Sequence, residues 1–415
     1  MKLYTFEKSY KMFEEAQRMV PKGIYGPRSP HFLTFGSYPC FLVKGKGSHV
    51  WDVDGNEYID YMCSFGTNVL GLNHPEVDKA AMEQLKRGNS FTLPTDRWNE
   101  LASLLTKQVR GVDWAAFGVN GSDVTTFATS IARQHTGREK IVVTNGAYHG
   151  SHFWCSHGGA GVPEEYRAHV HSFNFNDLEG FNRLVQEHRG DIAGVMLTPH
   201  HHPAMADQAL PAEGFYKGLE AVCKKEGILL IIDDVRCGFR LHENGSHCYY
   251  DFNPDLICFG KAMANGYPIS ALTGRAEFKP AAEAVFFSGT HFFAAVPMAA
   301  SIAAINIINR DGVIKKLYDT GVKLREGLLS LANEAGLKVH YTGHPVMPFM
   351  RFDGDADYSV NRFFCGEAAK RGIFLHPHHN WFVCLGHTQA DIDRTLEVAR
   401  ECFRLVRESD SGNKK

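Results

Sequence analysis

Three short stretches hold residue types that could do chemistry together. In "DLICFGKAMANGYPISALTGR" (255–275) an apolar run ends on Gly260 and Lys261. Most lysines are solvated surface charges. One held at the end of a buried strand is partly desolvated, so its amine pKa falls and it can form a Schiff base with a carbonyl. In "LLIIDDVRCGFR" Asp233 and Asp234 end a fully apolar run. Buried carboxylates are costly unless paired. One suitable partner is a protonated ring nitrogen, because a carboxylate there makes a pyridine ring an electron sink. A solvated strand end or a helix cap is the ordinary alternative. In "FGVNGSDVTTFATSIARQ" a strand end meets Asn120-Gly121-Ser122 and then a helix beginning near Asp123. Free N–H groups at a helix start bind phosphate, although the same residues also make a plain turn capped by Ser122 or Asp123. Taken in order, a phosphate cradle, a ring-nitrogen carboxylate and a Schiff-base lysine are the handles that pyridoxal 5'-phosphate requires.

The elements that position these handles follow from periodicity. Short apolar runs ("WAAFGV", "KIVVTN", "HVHSFN", "IAGVMLTP", "GILLIIDDV", "DLICFG") alternate with helical stretches such as "HPEVDKAAMEQLKRG" and "RWNELASLLTKQV". That pattern predicts an α/β fold with a mostly parallel sheet covered on both faces, and ligands at the C-terminal ends of its strands. Ahead of it, "SHVWDVDGNEYIDYM" predicts a hairpin turning at Asp54-Gly55. After residue 300 one long helical region, strand-like pieces ("LKVHYTG", "PVMPFMRF", "WFVCLG") and a terminal helix predict a smaller α+β domain. The expected organisation is an N-terminal segment (1–70) packing with the small domain, a large domain (71–300) and a C-terminal small domain (301–415), with "SDSGNKK" as a disordered tail.

Bulk properties narrow the function classes. The chain has 415 residues, 44% of them hydrophobic and 22% charged, with a formal net charge of -2. Nucleic acid and anionic membranes are therefore not expected as partners. No apolar run reaches the ~20 residues needed to span a bilayer. The N-terminus lacks an apolar signal core, which argues for the cytoplasm. The ten cysteines are scattered, with no CxxC pair, and are expected as reduced, mostly buried thiols.

Several motifs carry a family resemblance that covers nearly the whole chain. "VWDVDGNEYIDYM", "NGSDVTTFATSIAR", "GAYHG", "LLIIDDVRCGFR", "FGKAMANGYPISALTGR", "FFSGTHFFAAVPMAAS" and "HTQADIDRTLEVA" together resemble the class III pyridoxal-phosphate aminotransferases, and within them the glutamate-1-semialdehyde 2,1-aminomutase-like members. The resemblance implies a fold type I transferase. It also implies Lys261 as covalent cofactor anchor and proton shuttle, Asp233 on the pyridine nitrogen, and Val235 and Tyr148 on the two ring faces. Gly121 and Ser122 would take the phosphate, with Thr290 completing that site from the second subunit of a homodimer.

The sequence also departs from the family. Thr198-Pro199 stands where a glutamate-proline pair is common, followed by His200, His201 and His202. Neighbours on an extended segment point to opposite faces, so these three histidines are not expected to share a metal, and His200 is instead a candidate substrate contact. "FLHPHHNWFVCLGHT" places His376, His378 and His379 where aminomutases bring a carboxylate to the substrate. His379, Arg28 in "YGPRSP" and Arg236 are further substrate-binding candidates. Arg236 is equally suited to a structural ion pair with Asp234, and Arg28 to an exposed loop. "CSHGGAGVPEEY" (155–166) matches the mobile lid of aminomutases in shortened form. The short lid and missing carboxylate favour an aminotransferase acting on a ketone or aldehyde acceptor. The alternatives are an intramolecular aminomutase and an epimerase. A catalytically silent homologue is disfavoured by the intact Lys261 and Asp233.

Overall fold

The computed structural model describes residues 3–156 and 160–412, which fall into two compact units. The larger comprises Pro75–Pro203 and Gln208–Ile314. Its seven-stranded sheet runs, in spatial order, Trp114–Gly118, Ser270–Gly274, Leu256–Phe259, Leu229–Asp233, Ile192–Leu197, Lys140–Thr144, Val170–Phe173. Ser270–Gly274 is antiparallel to both neighbours, and the other pairings are parallel. Every residue of Ile192–Leu197, Leu229–Asp233 and Leu256–Phe259 is buried. Burial on both faces is why these strands read as unbroken apolar runs. The faces carry separate cores, and side chains alternate between them. Ile231 packs with Val124, Phe127 and Ile131. Its neighbours Leu230 and Ile232 pack with Phe181, Phe215 and Leu219.

Two helices frame the chemistry-bearing end of this unit. Gly121–Thr136 begins with a capping box between Asn120 and Asp123 and ends at Gly137, whose φ of 67° stops it. Ala295–Arg310 packs along Pro75–Arg87 and is buried over most of its surface. The single helical region expected after residue 300 is broken at Asp311-Gly312, where Gly312 has a φ of 59°. The next helix, Val313–Glu334, follows, and the passage between units falls at 314/315 rather than 300/301.

The smaller unit comprises Met1–His74, Ala204–Asp207 and Lys315–Lys415. The hairpin around Asp54-Gly55 forms between His49–Asp52 and Glu57–Asp60. Gly55 has a φ of 88°, and the Asp52 carboxylate accepts from the Asn56 N–H (2.8 Å) and the Tyr58 hydroxyl (2.7 Å). Ile373–Phe374 pairs in parallel with Ile59–Asp60. "WFVCLG" is not a strand. Its N–H groups go to different segments, Trp381 to Pro348, Phe382 to Tyr61, Val383 to Val346 and Leu385 to Val69, so no continuous ladder forms. The last helix, Gln389–Gly412, takes in the first part of the expected tail; residues 413–415 lie outside the described residues.

Candidate active site

Lys261 follows the buried strand Leu256–Phe259 and opens a short 3-10 turn, Lys261–Ala264. Its φ of 43° lies in the left-handed region, a strained backbone for a side chain with a Cβ and a feature common at functional sites. Burial pulls its amine from the usual 10.5 down to about 8; the Arg236 charge lowers it further and the Asp233 charge opposes this.

Asp233 ends the neighbouring parallel strand, in register with Cys258. Its Oδ2 lies 2.8 Å from His149 Nδ1, and its Oδ1 accepts the Val235 N–H at 3.2 Å. His149 is 3% exposed and its Nε2 has no hydrogen-bond partner. The His149 carbonyl accepts the Thr125 hydroxyl at 2.7 Å, which ties it to the Gly121–Thr136 helix. Asp234 is in a different setting. Its Oδ2 accepts the Ser246 N–H at 2.9 Å, its Oδ1 is buried without a partner, and burial pushes its carboxyl up to about 7. Arg236 donates from Nη1 to the His202 carbonyl at 3.4 Å, and its charge acts on Lys261 and Tyr148.

At the helix start, Asn120 Oδ1 accepts the Ser122 N–H, and Asp123 Oδ2 accepts the N–H groups of Val119 and Asn120, each at 2.9 Å. Ser122 Oγ accepts the Ser151 N–H at 3.0 Å. A Cβ on Gly150, whose φ is +125°, would lie 2.5 Å from Ser122 Oγ. A Cβ on Gly121 or on Gly260 would lie 3.2 Å from Val235 Cγ1. Glycine at both positions thus lets the backbone approach Val235 closely. A buried amine of lowered pKa, a clamped carboxylate, Val235 between two glycines and a helix N-terminus fit the carbonyl, ring nitrogen, ring face and phosphate of pyridoxal 5'-phosphate.

The other expected residues are distributed between the units. Tyr148 is 49% exposed, and burial of its remainder raises its hydroxyl pKa. Thr290 is exposed on the segment before Ala295–Arg310. His200 is fully buried, with Nε2 on Gln208 Oε1 (3.2 Å) and Nδ1 near the Tyr250 hydroxyl (3.3 Å) and Cys237 Sγ (3.9 Å). That is the setting of a core histidine. Arg28 and His379 belong to the smaller unit and flank one ring: Arg28 stacks over Phe65 at 4.4 Å, and His379 meets it edge-on at 5.1 Å. Of the lid-like segment 155–166, residues 157–159 lie outside the described residues. Sequence reasoning assigned no role to His149, Gly150 or Ser151. The signal of His149 and Gly150 was present in "GAYHG", next to Ser151, but the contacts to Asp233 and Ser122 come from tertiary packing.

Comparison with known proteins agrees with this geometry. The family described as aminotransferase class-III matches residues 34–398. The aminopentol aminotransferase of Sphingopyxis macrogoltabida is 39% identical over 95% of this chain and 93% of its own. A glutamate-1-semialdehyde 2,1-aminomutase of Desulforamulus reducens is 35% identical over 97% and 99%. The pyridoxal-phosphate internal aldimine form of the Sphingopyxis sp. MTA144 FumI protein superposes with a TM-score of 0.96 at 38% identity, covering 98% of each chain.

Proposed function

We propose, for a chain that belongs to the class-III aminotransferase family and works with pyridoxal 5'-phosphate, that Lys261 holds the cofactor as a Schiff base and moves the proton at the amine-bearing carbon. When bound, the cofactor supplies the electron sink that makes that proton removable. The lowered pKa of the buried Lys261 amine carries the reading, since a nucleophile and base working near neutrality needs its free amine populated there. Asp233, steadied by His149, holds a protonated ring nitrogen. Gly121 and Ser122 bind the phosphate at the helix start. Val235 and Tyr148 bound the two ring faces. Arg236 is the substrate-anion contact in the larger unit.

The reaction is transfer of an amino group from a primary amine to a ketone or aldehyde. The likeness to an enzyme named for an aminopentol supports a hydroxylated amine as donor. An intramolecular aminomutase is the second reading, supported by the similarity to a glutamate-1-semialdehyde aminomutase. Two copies form the working unit, with Thr290 reaching the phosphate of the opposite copy; its exposure, and that of Phe286 at 92%, suit a covered surface. Ten free cysteines fit the reducing cytoplasm, and no helix among the described residues is long and apolar enough to cross a membrane.

The test is spectroscopic. Amines from a panel are added singly to holoenzyme, and the absorbance of the lysine-bound cofactor is followed. A donor should bleach that band, and a keto or aldehyde acceptor should restore it. Turnover of one amino-aldehyde with no acceptor would favour the aminomutase. Persistence of the band in Lys261→Ala would remove the assignment of the anchor.

A further inference from the structure

The geometry points to a zinc site in the smaller unit, built from Cys63, Cys384 and His387. Cys63 lies more than 300 residues from the other two in the sequence, yet one ligand atom from each falls within 4.8 Å of the others. Zinc bonded at about 2.3 Å to sulfur and 2.0 Å to nitrogen holds such atoms roughly 3.5–3.8 Å apart in a tetrahedron, so the cluster needs only small contractions. His387 Nδ1 and Cys384 Sγ are already 3.3 Å apart. All three side chains are buried, at 2%, 2% and 6% exposure.

Two further observations distinguish this cluster from thiols packed by chance. The first is the histidine tautomer. His387 Nδ1 accepts the Cys384 N–H at 3.0 Å and lies 3.3 Å from Cys384 Sγ, so this nitrogen faces the sulfurs, and zinc would take its lone pair over from the backbone bond. The other nitrogen, Nε2, is buried with no hydrogen-bond partner. The second is the backbone that delivers Cys63. Cys63, Ser64 and Phe65 are consecutive non-glycine residues at φ 44°, 51° and 58°, followed by Gly66 at 86°. Such residues are strained and persist only where their surroundings over-determine them. Here the Gly66 N–H bonds Met62 O and the Asn68 N–H bonds Cys63 O. Phe382 occupies the space a Gly66 Cβ would need, at 2.6 Å. The strained turn holds Cys63 Sγ near the Phe382 carbonyl (3.6 Å), two residues before Cys384. The Tyr61 ring stacks on His387 at 4.5 Å and fixes its plane.

Zinc entering this cluster displaces the two thiol protons to solvent, and the two thiolates balance the ion's charge. Three protein ligands leave a fourth position. Solvent-derived hydroxide or water would complete it. The site departs from the expectation that no metal would bind, which weighed only the adjacent histidines 200–202.

The test uses the cofactor-loaded enzyme produced in zinc-containing medium and dialysed against mild chelator. About one zinc per chain is expected by elemental analysis. With cobalt(II) in its place, near-ultraviolet thiolate charge-transfer and visible tetrahedral bands are expected. Cys63→Ser and Cys384→Ser should each lower retained zinc about tenfold or more and abolish the charge-transfer band, with folding checked by circular dichroism. Should either variant fail to fold, the native protein still decides: zinc should shield two thiols from a thiol reagent, and chelation should unmask them. Zinc-free protein from zinc medium, undiminished zinc in the double variant, or a Cys63–Cys384 disulfide would overturn the site.

Discussion

Burial sets the chemistry of Lys261. With its amine held at about 8, about a tenth of it is free at pH 7, against roughly one part in three thousand at the ordinary lysine value. Because the folded-state pKa is depressed, the reactive form gains as pH rises through 8 and then saturates. Capture of pyridoxal 5'-phosphate by apoenzyme, followed by stopped-flow absorbance, should therefore rise about tenfold from pH 6 to 7 and level off above about 8. A rise continuing to pH 10 would show an ordinary, solvated lysine. Lys261 and Asp233 were legible in the sequence because each ends an apolar run, and a charge there demands a reason. His149 was not, because its meaning is the 2.8 Å contact to Asp233 on another strand. His200 shows the converse. Its neighbourhood of histidines invited a binding role, and its partners Gln208 and Tyr250 are core contacts.

At the level of elements, the helix Gly121–Thr136 was legible by its Asn-Gly-Ser-Asp start, and the capping box forms as those residue types allow. What the spacing did not reveal is that Gly150 and Ser151, at the end of "GAYHG" and just beyond it, close over that start. Gly150 is the closest approach, with a φ of +125° and a hypothetical Cβ 2.5 Å from Ser122 Oγ. Gly150→Ala should cost about 2–4 kcal/mol of stability, from backbone strain and overpacking together. It should also displace Ser122 and weaken cofactor binding. Denaturant unfolding and cofactor titration measure the two effects, and an unchanged variant would mean the loop does not buttress the phosphate end. "WFVCLG" failed as a strand for a related reason: its composition suits a strand, but its N–H partners are split among Pro348, Tyr61, Val346 and Val69.

For the whole molecule, the proposed homodimer predicts complementation. Lys261→Ala and Thr290→Ala enzymes should each be nearly inactive. Mixed under conditions that exchange subunits, they form heterodimers in which one site carries both changes and the other neither. Activity should reappear at up to about half the native value per heterodimer. Mixtures no more active than their components would place Thr290 in its own chain's site or outside it. The larger unit runs on to Ile314, past the change of pattern at residue 300. Ala295–Arg310 stays with it because that helix packs on Pro75–Arg87, a long-range contact.

The sequence by itself determined the layered α/β sheet and the order of the three proposed cofactor handles, Lys261 among them. Apolar runs, caps and turns act over a few residues, and their periods can be read one element at a time. Only the tertiary structure decided which neighbours tune those handles: His149 on Asp233, burial and Arg236 on Lys261, Ser246 on Asp234. It also gathered Cys63, Cys384 and His387 into one buried cluster. Charge, desolvation and ligation depend on distances through space, and residues far apart along the chain carry no mark of a meeting that packing alone brings about.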